Sequence, residues 1–531
     1  MWPPAPVRAV VTAQVVAVVA GALGSGVGLI WWQAAILAAL AAAVTLLPVR
    51  GRILLDWASA AVRVRHSDPE AFAATKFRTD DGLDVGLCWT AGTVCTVIEM
   101  LAAPGSLTRL GRDEATDCPE VPLRVLAESL FQQGISLAGI DVIGHGRRVA
   151  PDSPVAGVYD DLIGPLAATA DRTVWLVVRF EATAQPGAVR RRGGGRSGAA
   201  RAVSVASQRI VRALAERGTE SLILTAPAIA AVAETISGGA AFDEAGRSRA
   251  HVPVRDGCNT GYAIDPRVLG DRLADVWATR SRTTTVTVRL RPGSSSNEVR
   301  VAASCRFTTE SVPRRSTLPG LVPTTREPAA LRSHLPGAHP DLDSLTTFTT
   351  VTPRHLDTLT VPVAGCGQLI GSDATGRAVT VRVAGPEVRR VDVVGEPYLA
   401  QQVVLRAVAI GERIAVHSTD PESWRSLVGS VADPDRLTLV DRPAARGTAV
   451  TAVVFDGTEP VPLPDTVTAI VVREAPPVDA APVSIVQPGL RGGRIILWSN
   501  GSRTELRLVT IAAETAYLGR PLGASVPLAV G

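Results

Sequence analysis

From Ala9 to Val49 the chain carries no charged side chain, and the run is closed by Arg8 on one side and by Arg50 and Arg52 on the other. One helix of that length would rise about 60 Å, whereas the hydrocarbon core of a bilayer is roughly 30 Å thick. The run therefore predicts two helices, about 8–25 and 28–49, which reverse in the cluster Gly21, Gly24, Ser25, Gly26, Gly28. Gly24 and Gly26 are assigned to the reversal, because glycine adopts positive φ without penalty. Trp31 and Trp32 follow the turn and suit the headgroup layer, where an indole is half apolar and half wet. A cleaved signal peptide is the competing reading, but such a peptide does not run into a second apolar span. Arg8, Arg50, Arg52, Arg63 and Arg65 flank the pair while the turn is uncharged. The positive-inside rule then places both ends in the cytoplasm, as a multi-pass protein of the cell inner membrane.

Beyond residue 50 the apolar spacing changes. Residues 51–65 keep Ile53, Leu54, Trp57, Ala61 and Val64 near helical spacing and predict an anchor segment. Leu83–Trp89 and Thr93–Met100 predict a hairpin around Ala91-Gly92, followed by a helix over Val121–Gln133 and a strand over Leu137–Ile143. A helix is predicted over Val155–Leu166, and Thr173–Phe180 (TVWLVVRF) is a strand too apolar to lie anywhere but the interior. Helices over Ala199–Arg217 and Arg267–Ala278, then strands Thr283–Leu290 and Glu298–Phe307, complete an α+β domain spanning 51–310. Eight prolines from Pro313 to Pro362, both included, mark 311–362 as a connector with a short helix near Ala329–His334.

From 363 to 531 strands and helices alternate. Strands Ala378–Val383 and Arg390–Val394, helix Tyr398–Ile410, strand Arg413–His417, helix Pro421–Val428 and strand Leu437–Val440 are followed by strands Ala449–Phe455 and Thr466–Val472. That spacing predicts parallel pairing in a Rossmann-like, doubly wound α/β region. Arg494–Trp498 and Arg503–Ile511 predict a terminal hairpin. The fold class expected is thus α/β: a transmembrane helical hairpin over 1–50, an α+β domain, a connector and a Rossmann-like region.

Composition removes several functions. The six cysteines form no C-x-x-C pair, so neither a zinc ribbon nor a thioredoxin-type site is indicated. The net charge of +4 comes from scattered arginines largely matched by acids, and Lys76 is the single lysine. With aromatics at 4%, neither an electrostatic footprint nor a stacking platform for nucleic acid is present.

The sharpest local feature is Arg190-Arg191-Arg192-Gly193-Gly194-Gly195, between an interior strand and a helix start. Gly193, Gly195 and Gly198 satisfy G-x-G-x-x-G, and helix-start amides beside guanidiniums can hold phosphate. However, the dinucleotide turn follows its strand immediately, and here twelve residues intervene between Phe180 and Gly193. The loop reads instead as a basic docking patch, with an anion site as the lesser reading. At the junction Gly395-Glu396-Pro397 a carboxylate stands where phosphate would sit. Asp341/Asp343, near His334 and His339, and Asp433/Asp435 have the D-x-D spacing that a metal-dependent nucleotide-sugar transferase uses, yet both fit turn chemistry. No catalytic, cofactor-binding or metal-binding residue is assigned.

The strings GIDVIGHG (139–146), VYDDLIGPL (158–166), RTVWLVVRF (172–180), AVRRRGGG (188–195), TGYAIDP (260–266), GQLIG (367–371) and PYLAQQVVLRAVAIG (397–411) occur in this order behind the charge-free hairpin. The set resembles the EccE component of actinobacterial type VII (ESX) secretion systems, from the hairpin to about residue 430. The resemblance implies a non-catalytic subunit at the periphery of the inner-membrane complex, in contact with membrane lipid. Its implied neighbours are EccB, EccC (the ATPase) and EccD, and it implies no cofactor. A membrane-tethered nucleotide-sugar (glycosyltransferase-like) enzyme of the cell envelope is the alternative.

Overall fold

The strand Asp171–Glu181 is apolar on both sides because it lies in the interior of an antiparallel sheet, between Gly139–Arg147 and Thr93–Met100. The computed structural model describes residues 7–26, 28, 30–46, 48–49, 52–53 and, apart from 241–250, 313–317, 443–449, 476–480 and shorter omissions, 73–519. The spatial order of this first sheet is Val252–Val254, Gly257–Ile264, Val299–Thr309, Thr283–Pro292, Gly139–Arg147, Asp171–Glu181, Thr93–Met100, Asp84–Thr90 and Ala74–Arg78. Side chains alternate along the central strand. Val174, Leu176, Val178 and Phe180 enter one core, which helix Gly195–Ala215 covers with Ala199, Val203, Ala206, Ile210 and Leu214. Trp175 and Val177 enter the other, beneath helix Ala226–Ser237 with Ile229, Val232 and Ile236.

That second face also carries a buried polar layer. The Asp141 carboxylate is held between Arg179 (Nη2 to Oδ2, 2.7 Å) and Arg291 (Nη1 to Oδ1, 2.6 Å) on neighbouring strands. The flanking guanidiniums keep its carboxyl well below the usual carboxylate range despite complete burial. Further along, His145 Nδ1 meets Thr285 Oγ1 at 2.8 Å and His334 Nδ1 meets Thr287 Oγ1 at 2.7 Å. Arg289 donates to Ser304 Oγ and to the Ser333 carbonyl, which fastens the stretch after helix Glu327–Arg332 to the sheet. The connector expected over 311–362 is therefore anchored: Leu321–Pro323 and Thr349–Val351 both pair with this sheet.

The second sheet combines parallel and antiparallel halves. Leu437–Leu439, Ile414–Ser418, Ala452–Asp456, Thr468–Arg473, Arg390–Val394 and Val483–Val486 lie side by side and parallel. Arg494–Ser499 and Ser502–Arg507 continue it as the predicted hairpin, turning at Asn500-Gly501 with positive φ at both residues. Parallel pairing is observed, but the doubly wound arrangement is not. Among the described residues only two crossovers between these strands hold helices, Pro397–Ile410 and Pro421–Val431, and the two helices pack against each other. The link after Asp456 carries Pro460, Pro462 and Pro464 and forms no helix.

The two sheets are interleaved. Leu107–Leu110 leaves the first and pairs with Ala378–Val381 in the second. Helix Ala156–Ile163 packs on helix Pro397–Ile410, and the Tyr159 hydroxyl accepts from the Leu369 N–H at 2.8 Å. The C-terminal helix Ala512–Leu518 is fastened by Glu514, buried against Arg406 at 2.7 Å. Other elements differ locally from expectation. The helix expected over Val121–Gln133 stops at Glu128, since Phe131–Gln132 and Ile135–Ser136 pair across Gly134, whose φ is +71°. All six cysteines are free thiols.

At the N-terminus, helices Val7–Gly26 and Trp31–Leu46 pack side by side. A Cβ at Gly21 would sit 3.5 Å from Ala38 Cβ, so small residues set the approach. Gly24 and Gly26 lie in the last turn of the first helix, and the positive φ of the reversal falls at Gly28. The expected transmembrane spans are not found: among the described residues, no helix is long and apolar enough to cross a membrane. The second helix has sixteen residues, which rise about 24 Å, less than a bilayer core of roughly 30 Å. Of the anchor segment expected over 51–65, only Arg52–Ile53 is described, and it pairs with Pro48–Val49 as a strand.

Two outcomes follow for stability. Replacing Asp141 with Ala leaves Arg179 and Arg291 buried without their anion, and chemical unfolding of the purified chain should show a loss of about 3–5 kcal/mol. Burial holds His145 down to about 3 and His334 well below its ordinary value, so the folded chain keeps both neutral while the unfolded chain protonates them near pH 6.5. The His145 contribution is complete above about pH 6.5 and is lost as pH falls toward 3, by about 1.4 kcal/mol per pH unit, and that of His334 is lost in the same direction. A His145→Gln variant should show a shallower decline than the parent in unfolding measured across that window.

Candidate functional site

The arginine–glycine loop is built where the central strand of the first sheet hands over to its longest helix. After Glu181 the chain forms a short helix, Pro186–Arg190, opened by Pro186 at its first position, and then turns into Gly195–Ala215. Gly193, Gly194 and Gly195 have φ of +98°, +72° and +55°, a succession that side chains with a Cβ resist. Gly198 is fixed by proximity: a Cβ there would lie 2.4 Å from the Val189 carbonyl oxygen. The G-x-G-x-x-G spacing thus packs two helices together. The N–H groups of Gly193 and Gly194 donate to the carbonyls of Arg190 and Val189, within the turn, and are spent there.

The three arginines differ in role. Arg192 is half-buried and turns inward, donating from Nη1 to the Ala188 carbonyl at 3.1 Å, while its own carbonyl accepts from Arg201. Burial, then Arg209 and Arg191, lowers its pKa. Arg190 and Arg191 are exposed, and Arg191 reaches the Gly134 carbonyl at 3.3 Å. Arg196, which sequence reasoning did not single out, lies over the Trp89 ring at 4.5 Å. A groove of about 580 Å³ runs from Trp89 past Thr183 and Val189 to Arg190 and Arg196. Another of about 550 Å³ on the far side is lined by Asp80, Asp81, Arg192 and Arg201. The result is a cationic ridge with an aromatic floor on one flank and acids on the other.

The other sequence candidates are not brought to it. At the carboxyl end of strand Arg390–Val394, Glu396 is buried and accepts from Gln487 Nε2 at 3.0 Å, while its N–H donates to Gln487 Oε1 at 3.0 Å. A Cβ at Gly395 would meet Gln487 Oε1 at 2.7 Å, so the crevice where an α/β sheet holds a nucleotide is filled by side chains. Asp433 accepts from the Asp435 N–H at 3.0 Å in a turn that precedes strand Leu437–Leu439, at the opposite end of the parallel strands. Asp343 pairs with Arg291 at 3.0 Å, and His334 is buried against Thr287, so neither faces a common point; Asp341 and His339 lie outside the described residues. Among the described residues no group of three or more His, Cys, Asp or Glu side chains could hold a metal ion.

The loop and the central strand both lie within the segment, residues 168–264, that matches the family model of EccE of the type VII ESX secretion system. The chain is 29% identical over 198 residues to the ESX-1 secretion system protein EccE1 of Mycolicibacterium smegmatis, covering 36% of this chain and 42% of that protein. It is 28% identical over 298 residues to the ESX-2 secretion system protein EccE2 of Mycobacterium tuberculosis, covering 55% and 52%. Against the ESX-1 protein EccE1 of Mycobacterium tuberculosis it is 27% identical over 203 residues, covering 36% and 43%. The chain therefore spans about half or less of the length of these relatives. Through these matches the chain is identified as a relative of the EccE components of type VII (ESX) secretion systems.

Proposed function

We propose that this chain is a non-catalytic, structural subunit of a type VII (ESX) secretion membrane complex. In this reading the helical pair attaches it to the membrane, and the body from residue 73 onward lies on the cytoplasmic side and docks on other subunits. The observation that carries it is the coincidence of the EccE-matched segment, 168–264, with the ridge around Arg190, Arg191 and Arg196. The ridge offers exposed guanidiniums on a turn fixed by glycines, a geometry suited to protein recognition. EccB, EccC and EccD are the partners this reading implies, with EccC supplying energy as the ATPase.

Membrane attachment is supported by the surface of the helical pair. Val15, Val18, Val19, Leu23, Ile30, Trp31, Ile36 and Leu40 are all more than half exposed, with Trp31 at 80%. An apolar surface so large needs lipid or protein to cover it. The flanking arginines, Arg8 before and Arg50 and Arg52 after, support a cytoplasmic body. The tethered-transferase alternative finds no support in Asp433 and Asp435, which lie in a turn closed by the Asp435 N–H on Asp433 Oδ1, away from the carboxyl ends of the parallel strands.

Replacing Arg190, Arg191 and Arg192 together with Ala should deplete the chain from the large membrane complex in native gels, while its unfolding transition stays within a few degrees of the parent. Unchanged assembly would remove the ridge from the proposal. A chain lacking residues 1–46 should move from the membrane pellet to the soluble fraction after cell disruption, and retention in the pellet would assign attachment elsewhere. Substituting Asn at both Asp433 and Asp435 should leave secretion through the complex intact; loss of secretion with a folded chain would favour the enzyme.

A further inference from the structure

At the start of the central strand, Arg172 is buried to 6% exposure where the two sheets meet. Its Nη2 donates to Thr169 Oγ1 at 2.9 Å, its guanidinium lies 4.1 Å from the centroid of the Trp277 ring, and its Nε is buried with no hydrogen-bond partner. Among the described residues no carboxylate pairs with it. Four other deeply buried arginines are provided for differently. Arg179 and Arg291 share Asp141, and Arg406 has Glu514. Arg306, which has no carboxylate, donates from all three nitrogens, to Thr285, Asn259 and the Ile236 carbonyl. Among the described residues, Arg172 and Arg289 share the lack of an ion pair and an unpartnered, buried Nε, and Arg172 is the one of these two that lies in the wall of the cavity between the sheets.

Burial lowers its pKa to about 10, so it stays charged at neutral pH. The neighbouring thiols of Cys118 and Cys366 do not neutralise it, because burial raises both. An unpaired buried charge is costly, and a fold retains one where something of opposite charge joins it. Arg172 lines a cavity of about 130 Å³ walled by strand Leu107–Leu110, helix Leu269–Ala278 and the stretch from Thr358 to Cys366. By the same measure a single water needs about 10–15 Å³, so the space suits a small anion rather than one solvent molecule.

We propose that this cavity binds a small free oxyanion, a carboxylate or a phosphate, with Arg172 as its charge partner and Thr108 and Thr360 in the same walls. Leu273 and the Trp277 ring supply an apolar side that keeps water from competing and accommodates a short hydrocarbon portion. Because the walls come from both sheets, occupancy ties them together. This inference is independent of the docking proposal, since the cavity and the Arg190 ridge lie at opposite ends of the segment that begins with the central strand.

Calorimetric titration of the full-length chain with inorganic phosphate and, separately, with acetate tests it. At least one anion should bind saturably to the parent, and Arg172→Met should weaken that binding at least tenfold. The variant with Ala at Arg190, Arg191 and Arg192 should bind as the parent does. Ala274→Leu, which fills the cavity while keeping Arg172, decides the matter if the methionine variant does not fold. Hydrogen exchange of the Thr358–Cys366 stretch in the parent, which needs no variant, should slow when the binding anion is added. Absence of saturable binding by both anions, equal affinity in Arg172→Met or Ala274→Leu, or unaltered exchange would each overturn the proposal.

Discussion

The Asp141 carboxylate occupies the interior of the first sheet, with Arg179 on one neighbouring strand and Arg291 on the other. A buried ion triad of this kind is poor as a source of net stability, because desolvation cancels most of the attraction. Its geometric consequence is greater. A one-residue slip of any of the three strands would turn Asp141, Arg179 or Arg291 to the opposite, apolar face, where Val174, Leu176 and Val178 lie. The triad therefore fixes register across the centre of the sheet. With that register set, Arg289, Thr285 and Thr287 fall on the same face, where Ser333, His145 and His334 meet them.

Both ends of the central strand inherit that register. Its final residue, Glu181, leads into the glycine turn that projects Arg190 and Arg191. Its first residues, with Thr169 and Arg172, reach the boundary with the second sheet. There the chain crosses repeatedly: Leu107–Leu110 completes the second sheet, and helix Ala156–Ile163 packs beneath Pro397–Ile410. Two cores that exchange elements in this way are harder to move independently than domains joined by a single linker. The ridge of Arg190 and Arg191 is thereby carried on a body whose two cores interlock.

Much of this architecture is legible in the sequence wherever local periodicity and tertiary packing agree. Thr173–Phe180, the helix from 199, Pro397–Ile410 and the hairpin at Asn500-Gly501 are found where their patterns place them. Helix Ala226–Ser237 has no counterpart among the expected elements, although Thr225, Pro227 and Gly238 mark its ends. Parallel pairing was readable from strand and helix spacing, whereas the order of strands was not, since order depends on contacts far apart in the chain. Pro460, Pro462 and Pro464 mark the link after Asp456 as one without a helix. For the candidate site, the glycines and arginines stood out as a string. The partnership of Arg196 with Trp89, the pairing of Asp141 and the isolation of Arg172 join residues distant in sequence, and no local pattern announces them.

The central claim is that this EccE-related chain acts as a structural member of an ESX membrane assembly. Gentle solubilisation of native membranes, affinity purification of the chain and mass spectrometry of the recovered particle address it directly. The account predicts one large particle that contains the other ESX membrane components in fixed proportion to this chain. Recovery of the chain alone, under conditions that keep other membrane complexes intact, would contradict it.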